Sequence, residues 1–187
     1  MSAKHWPWIG LIAVFIVQWT VPASMIWRGD QTLREGQRYY FRTAPVDPVD
    51  AFRGRYVVLS FDAATVANPQ ALSLRRGERV YVPLSVGADR FAVLGAPLPE
   101  PPPGPYLEAH VRGTGLRELT LQLPFDRYYI DEHLALAAEE AAREASGRRG
   151  EVSRAYVTVK VRDGHAVLEE LFIDDVPVHR YLAARPR

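Results

Sequence analysis

From Trp8 to Trp27 the chain is apolar on every side: WIGLIAVFIVQWTVPASMIW carries no formal charge. The run has neither the two-residue alternation of a half-buried strand nor the one-sided stripe of a surface helix. Wound as a helix, such a segment rises roughly 30 Å, the depth of a bilayer hydrocarbon core. Trp6 and Trp8 at one end and Trp27 at the other suit the two water–lipid boundaries, where an indole keeps its ring apolar and its N–H wet. Trp19 lies deeper. Gln18 and Pro22 are the polar and kinking positions within the span, and with Trp19 they are candidates for contact with a neighbouring helix. A cleaved signal peptide, with Lys4 as its basic region and Val21-Pro22-Ala23 as its cleavage site, is the competing reading. A retained anchor is the expectation.

Beyond the span the period of the pattern changes to two. Arg55 to Asp62, Arg79 to Leu84, Tyr106 to Val111 and Leu116 to Leu123 read as short strands separated by turns. Pro83 cannot donate to a ladder and predicts a sheet edge or a bulge. Leu98 to Pro105 is a proline-stiffened connector. Asp131 predicts a helix N-cap and Gly147 its C-cap, with Leu134, Ala137, Ala138, Ala141 and Ala145 as a narrow apolar stripe between them. Ala155 to Val161 alternates into Asp163-Gly164, a tight hairpin turn, and Ala166 to Ile173 returns as the partner strand.

The expected fold is α+β: an N-terminal transmembrane helix followed by one mostly antiparallel β domain with one short Ala-rich helix. By position the expectation is a tail over 1–7, the anchor over 8–27, a juxtamembrane connector over 28–45, the soluble domain over 46–180 and a tail over 181–187.

Composition narrows the chemistry. The chain has 187 residues, with 23 Lys+Arg against 22 Asp+Glu, a balance that gives no electrostatic footprint for nucleic acid. Cysteine is absent, which excludes disulfides, thiolate metal sites and thiol catalysis. The five histidines, His5, His110, His133, His165 and His179, form no metal-binding spacing. Ser60, Ser73, Ser85, Ser146 and Ser153 lack a nucleophile-elbow context, and Lys160 is the only lysine outside the N-terminal segment with which a Ser–Lys dyad could form. No catalytic residue, cofactor or metal site is assigned.

The run Phe52-Arg53-Gly54-Arg55-Tyr56-Val57-Val58-Leu59-Ser60-Phe61 resembles the signature of the GDYXXLXY family. Gly54, Tyr56 and Leu59 match, Arg55 stands where the signature has Asp, and Phe61 stands where it has Tyr. The lead-in Val46-Asp47-Pro48-Val49-Asp50-Ala51-Phe52, the stretch Arg127 to Glu132 and the closing hairpin Asp163 to Asp174 are similar to the family's as well. The resemblance implies a bacterial, membrane-anchored protein with a multi-pass membrane protein as partner, and it assigns no reaction. Arg55 reverses the charge of the signature Asp, so any cation-binding or catalytic role of that acid is not carried over.

Together these readings predict a non-catalytic accessory or assembly subunit, held in the inner (cytoplasmic) membrane by one pass, with its soluble domain periplasmic or otherwise extracytoplasmic. Its partners are the lipid bilayer and an integral membrane protein complex, and not nucleic acid. A membrane-anchored ligand-binding sensor is the alternative, and a membrane-anchored hydrolase a further one.

Overall fold

A computed structural model describes residues 6–44, 56–68, 74–115, 117–147 and 152–184. Helix α1 (Trp6–Glu35) is continuous for 30 residues, about 45 Å, through Pro22. It therefore extends past the uncharged span. The segment expected to be a connector over 28–45 instead contains the last two turns of α1 and all of β1 (Gln37–Ala44), which begins after a single residue, Gly36. Along Trp8–Trp27 the large apolar side chains Trp8, Phe15, Trp19 and Trp27 are among those exposed. One N-terminal helix is thus long and apolar enough to cross a membrane.

The remaining elements are β2 (Tyr56–Val58), β3 (Ser60–Phe61), β4 (Thr65–Ala67), β5 (Arg79–Val86), β6 (Ala92–Leu94), β7 (Tyr106–Thr114), β8 (Glu118–Gln122), β9 (Arg127–Tyr129), α2 (Glu132–Ser146), β10 (Ala155–Arg162), β11 (His165–Ile173), β12 (Val176–Pro177) and α3 (Val178–Ala184). They form a five-stranded sheet in the order β12-β11-β10-β1-β3, a second in the order β4-β8-β7-β5-β6, and a two-stranded ribbon β2-β9. The paired strands run antiparallel, and one isolated parallel bridge, Leu107 to Gly164, joins the two larger sheets. The fold is α+β, as the hydropathy pattern predicts. The final helix runs to Ala184, beyond the boundary expected at 180.

Strand alternation explains the core. Val80, Val82 and Leu84 of β5, Leu107, Ala109 and Val111 of β7, and Leu119 and Leu121 of β8 all face inward and are buried. β10 lies between β1 and β11 and is covered on both faces: every residue from Ala155 to Val159 is buried, so its neat sequence alternation does not mark a solvent face. Phe41, Phe61 and Phe125 form an aromatic cluster in the core, with ring centroids 4.9 to 6.1 Å apart. Their edge-on and tilted geometry suits the ring quadrupoles.

Several local expectations shift. Asp131 caps α2, its carboxylate accepting from the His133 N–H at 2.9 Å, and Gly147 follows the last turn at φ 70°. The buried stripe, however, is Ala135, Ala138, Ala141, Ala142 and Ala145, whereas Leu134 is partly exposed and Ala137 faces water. Alanines let the helix lie close to the sheet; the two leucines of its first turns, Leu134 and Leu136, point outward. Pro83 is not on an edge strand, because β5 is flanked by β7 and β6. The returning chain has one extra residue between the Leu84/Leu94 and Tyr81/Leu98 pairings, and this bulge accommodates the missing N–H. The connector after it is partly structural: Leu98 exchanges two backbone hydrogen bonds with Tyr81, and Pro97 is buried.

Candidate functional site

The foot of α1 is fastened to the hairpin β10–β11. Gly36 sits so close to the sheet that an added Cβ would clash with the Thr32 carbonyl and meet the Val161 carbonyl at 3.1 Å. The Lys160 Nζ donates to the Gly36 carbonyl at 3.1 Å, and Arg162 pairs with Glu35 at 3.1 Å. The Thr32 hydroxyl donates to the Arg28 carbonyl at 2.9 Å and lies 3.2 Å from Nδ1 of His165. Because that hydroxyl proton is committed to Arg28, the His165 bond requires a proton on Nδ1. Arg38 of β1 reaches across β10 to grip Glu169 with two nitrogens, at 2.6 and 2.7 Å. Glu169 is the extra residue of the bulge in β11 opposite Thr158 and Val159. These contacts make the helix a continuation of the domain and not a loose tether.

Between this foot and the second sheet lies a cleft of about 550 Å³. Trp27, Arg28, Gln31 and Thr32 form its helix wall, Arg79, Glu108 and His110 line it from β5 and β7, and Arg162 to Ala166 close it from the hairpin. Arg79 pairs with Glu108 at 3.1 Å. A smaller polar cavity lined by Gln122, Asp126 and Tyr129 shares His110 and Pro124 with it. Spacing in the sequence gives no sign of this cleft, because its walls come from five separate stretches; the one local signal is Arg28 directly after Trp27.

Higher on the helix, Leu11, Phe15, Gln18, Pro22, Met25 and Gly29 recur at alternating spacings of four and three and so share one side. Pro22 has no N–H, so the Gln18 carbonyl lacks its usual helical donor. The Gln18 side chain adds an amide at the same level. Thr20 and Ser24, in contrast, bond back to the Ile16 and Val21 carbonyls at 2.8 and 2.7 Å. Phe15 and Trp19 touch with centroids 6.0 Å apart. Trp6 belongs to the first turn of α1, Trp8 and Trp27 mark the two ends of the uncharged run, and Trp19 lies exposed between them.

The signature residues occupy different settings. Gly54 lies outside the described residues. Tyr56 pairs with Tyr129 in the ribbon β2-β9. Leu59 is buried and its N–H donates to the Asp126 carbonyl at 2.9 Å. Phe61 is buried in the aromatic cluster. Leu59 and Phe61 therefore fill the core, and at the second of these positions a phenylalanine ring packs without needing a hydroxyl partner.

Polar clusters elsewhere are accounted for by packing. Thr43, Ser146 and Ser153 share hydrogen bonds of 2.9 and 3.0 Å and also bond the Ala142 and Ala155 carbonyls. Among the described residues no imidazole, carboxylate or amine joins this hydroxyl cluster. Lys160, the candidate dyad lysine, is turned to Gly36. The Tyr128 hydroxyl donates to Glu170 at 2.6 Å; burial, then the bond to that carboxylate, push its pKa well above the usual tyrosine value. No group of three or more metal-ligating side chains occurs among the described residues.

The chain matches the family described as GDYXXLXY protein over residues 18–171 and belongs to it. The match begins in the middle of α1 and ends in β11, so it takes in every strand from β1 to β10 and leaves out β12 and α3. No curated protein matches the chain. No solved structure matches it.

Proposed function

We propose that this member of the GDYXXLXY family is a single-pass, membrane-anchored accessory or assembly subunit that binds a larger integral membrane protein and performs no catalysis of its own. The observation that carries the reading is the side of α1 formed by Leu11, Phe15, Gln18, Pro22, Met25 and Gly29. Its heptad-like spacing is that of a helix–helix seam. Within lipid, the Gln18 amide and the carbonyl left bare by Pro22 have no water to bond, and a neighbouring helix with a donor at that depth satisfies both. The fastened foot supports the same reading: a partner that grips the helix also fixes the orientation of the domain.

The domain lies on the extracytoplasmic side of the inner membrane. Lys4 stands on the N-terminal side of the span, and a domain of this size translocates largely regardless of the arginines that follow the span. Purification of the untagged protein from native membranes in gentle detergent tests the proposal, with native mass measurement of what comes along. The expected result is one integral membrane protein in fixed ratio, lost when residues 8–27 are exchanged for an unrelated membrane helix. Recovery of the chain by itself, or undiminished recovery of the partner after the exchange, overturns it.

A further inference from the structure

We propose that the cleft at the foot of α1 binds the phosphate group of a membrane lipid headgroup. The inference rests on α1 crossing the membrane.

Depth is the first argument. Trp27 ends the uncharged span and is exposed, which places it among the headgroups. Trp27 and Arg28 are also wall residues of the cleft. The cleft is therefore at the level where lipid phosphates lie, beside a helix around which lipids must pack.

Charge is the second. Three arginines line the cleft, Arg28, Arg79 and Arg162, against two carboxylates, Glu108 and Asp163. Both carboxylates are engaged: Glu108 by Arg79 at 3.1 Å and Asp163 by Arg162 at 3.5 Å. Arg162 is also held by Glu35. Among the described residues, Arg28 has no ion-pair partner. A guanidinium carries five donors in a plane and bonds phosphate in pairs, and Arg79 uses only its Nε toward Glu108. Arg28 and the unused donors of Arg79 thus supply an anion site from opposite walls.

Size is the third. About 550 Å³ falls within the range of small-molecule sites and exceeds what a few waters need. His110 and His165 add imidazole edges to the lining.

The test uses the full chain in nanodiscs that mix phosphatidylglycerol with a phosphate-free glycosyl diacylglycerol. The lipids retained after detergent extraction are then quantified. The expected result is a phospholipid-to-glycolipid ratio enriched roughly fivefold to tenfold over the bulk mixture, the scale of a paired charge-assisted contact. Arg28→Gln should return the ratio to that of the bulk. The double variant Arg79→Gln with Glu108→Gln, which leaves no carboxylate unpaired, should lower it as well. Arg34→Gln, outside the cleft, should leave it unchanged. A bulk ratio for the wild type, or equal enrichment in wild type and Arg28→Gln, overturns the proposal. Inorganic phosphate that raises the unfolding midpoint in lipid-free detergent, without phospholipid enrichment, would assign the cleft to a soluble anion and overturn the lipid assignment. Alkaline-carbonate extraction of the chain separates the two levels: release into the supernatant removes the membrane span and this proposal with it, whereas retention with no enrichment removes this proposal alone.

Discussion

Arg90 and Asp175 meet at 2.8 Å, although one lies on the turn between β5 and β6 of one sheet and the other on the turn before β12 of the other. Both hold positive φ, 70° and 62°, a conformation that costs a residue with a side chain. The Tyr156 hydroxyl donates to the same Asp175 oxygen at 2.8 Å, and Tyr156 stacks on Phe172 with its ring 6° from parallel. Arg42 lies over the Phe91 ring at 4.0 Å. Two strained turns are thus clasped together over an aromatic face. Arg90→Gly should retain more stability than Arg90→Ala, because glycine loses the contacts but not the backbone freedom that the turn requires. Thermal midpoints of the two variants check this; equal midpoints would mean that the strain has no part in the balance.

The clasp also has a pH dependence. Bonds from Tyr156 and Arg90 hold the Asp175 carboxyl below its usual range. A depressed carboxylate contributes stability at neutral pH, and that contribution is lost as the pH falls through its folded value. Tyr156 is shifted the other way, upward, by burial and then by its bond to Asp175. Its contribution is complete below about pH 10 and is lost as the pH climbs through the raised value. The midpoint difference between the wild type and Asp175→Asn should therefore shrink in acid and at high alkalinity. A difference constant with pH contradicts the linkage.

Gly36 is required by space. Its φ is ordinary, but a methyl group would press on the Thr32 and Val161 carbonyls, which cannot yield without moving helix or sheet. Gly36→Ala should cost about 1–3 kcal/mol, the range of an overpacked site. It should also loosen the helix foot, seen as a broadened distance distribution between spin labels on α1 and β11. An unchanged midpoint and an unchanged distribution would show that the foot tolerates the extra volume.

The aromatic cluster predicts a larger loss. Phe125→Ala should destabilise by about 3–5 kcal/mol, while Phe125→Leu, which retains most of the volume, should cost far less. Denaturant unfolding of the two variants measures the difference. Similar costs for both would argue that ring geometry, and not filled volume, decides the site.

The buried hydroxyls predict coupling. Ser146→Ala and Thr43→Val each remove one member of a shared network and should each cost about 1 kcal/mol. The double variant should cost less than the two together, because the bond between them is lost only once. Strict additivity would mean that each hydroxyl acts through its backbone carbonyl alone.

The legible parts of the fold are those set by local pattern. The uncharged run from Trp8 to Trp27, the capping pair Asp131 and Gly147, and the turn at Asp163-Gly164 each depend on neighbouring residues, and each stands as expected. The parts the pattern does not reach depend on tertiary neighbours. The alternation of Ala155 to Val159 predicts the strand that forms, but not that both its faces are covered. The Arg28–Glu35 stretch is polar enough to read as a linker, but the bonds from Thr32, Glu35 and Gly36 to the hairpin extend the helix through it. The cleft was illegible for the same reason: Arg28, Arg79 and His165 are far apart in the chain and meet only after both sheets have folded.

The chain has no cysteine, so a single introduced one reports its own surroundings. Cysteines at Phe15 and Met25 test the proposed seam on α1, and cysteines at Ile9 and Ile16 test the opposite side. After crosslinking in native membranes, the seam positions should yield one adduct with a larger integral membrane protein, and the opposite positions none. Adducts of equal yield from both sides, or no adduct from Phe15 and Met25, would contradict a helix-bound accessory subunit.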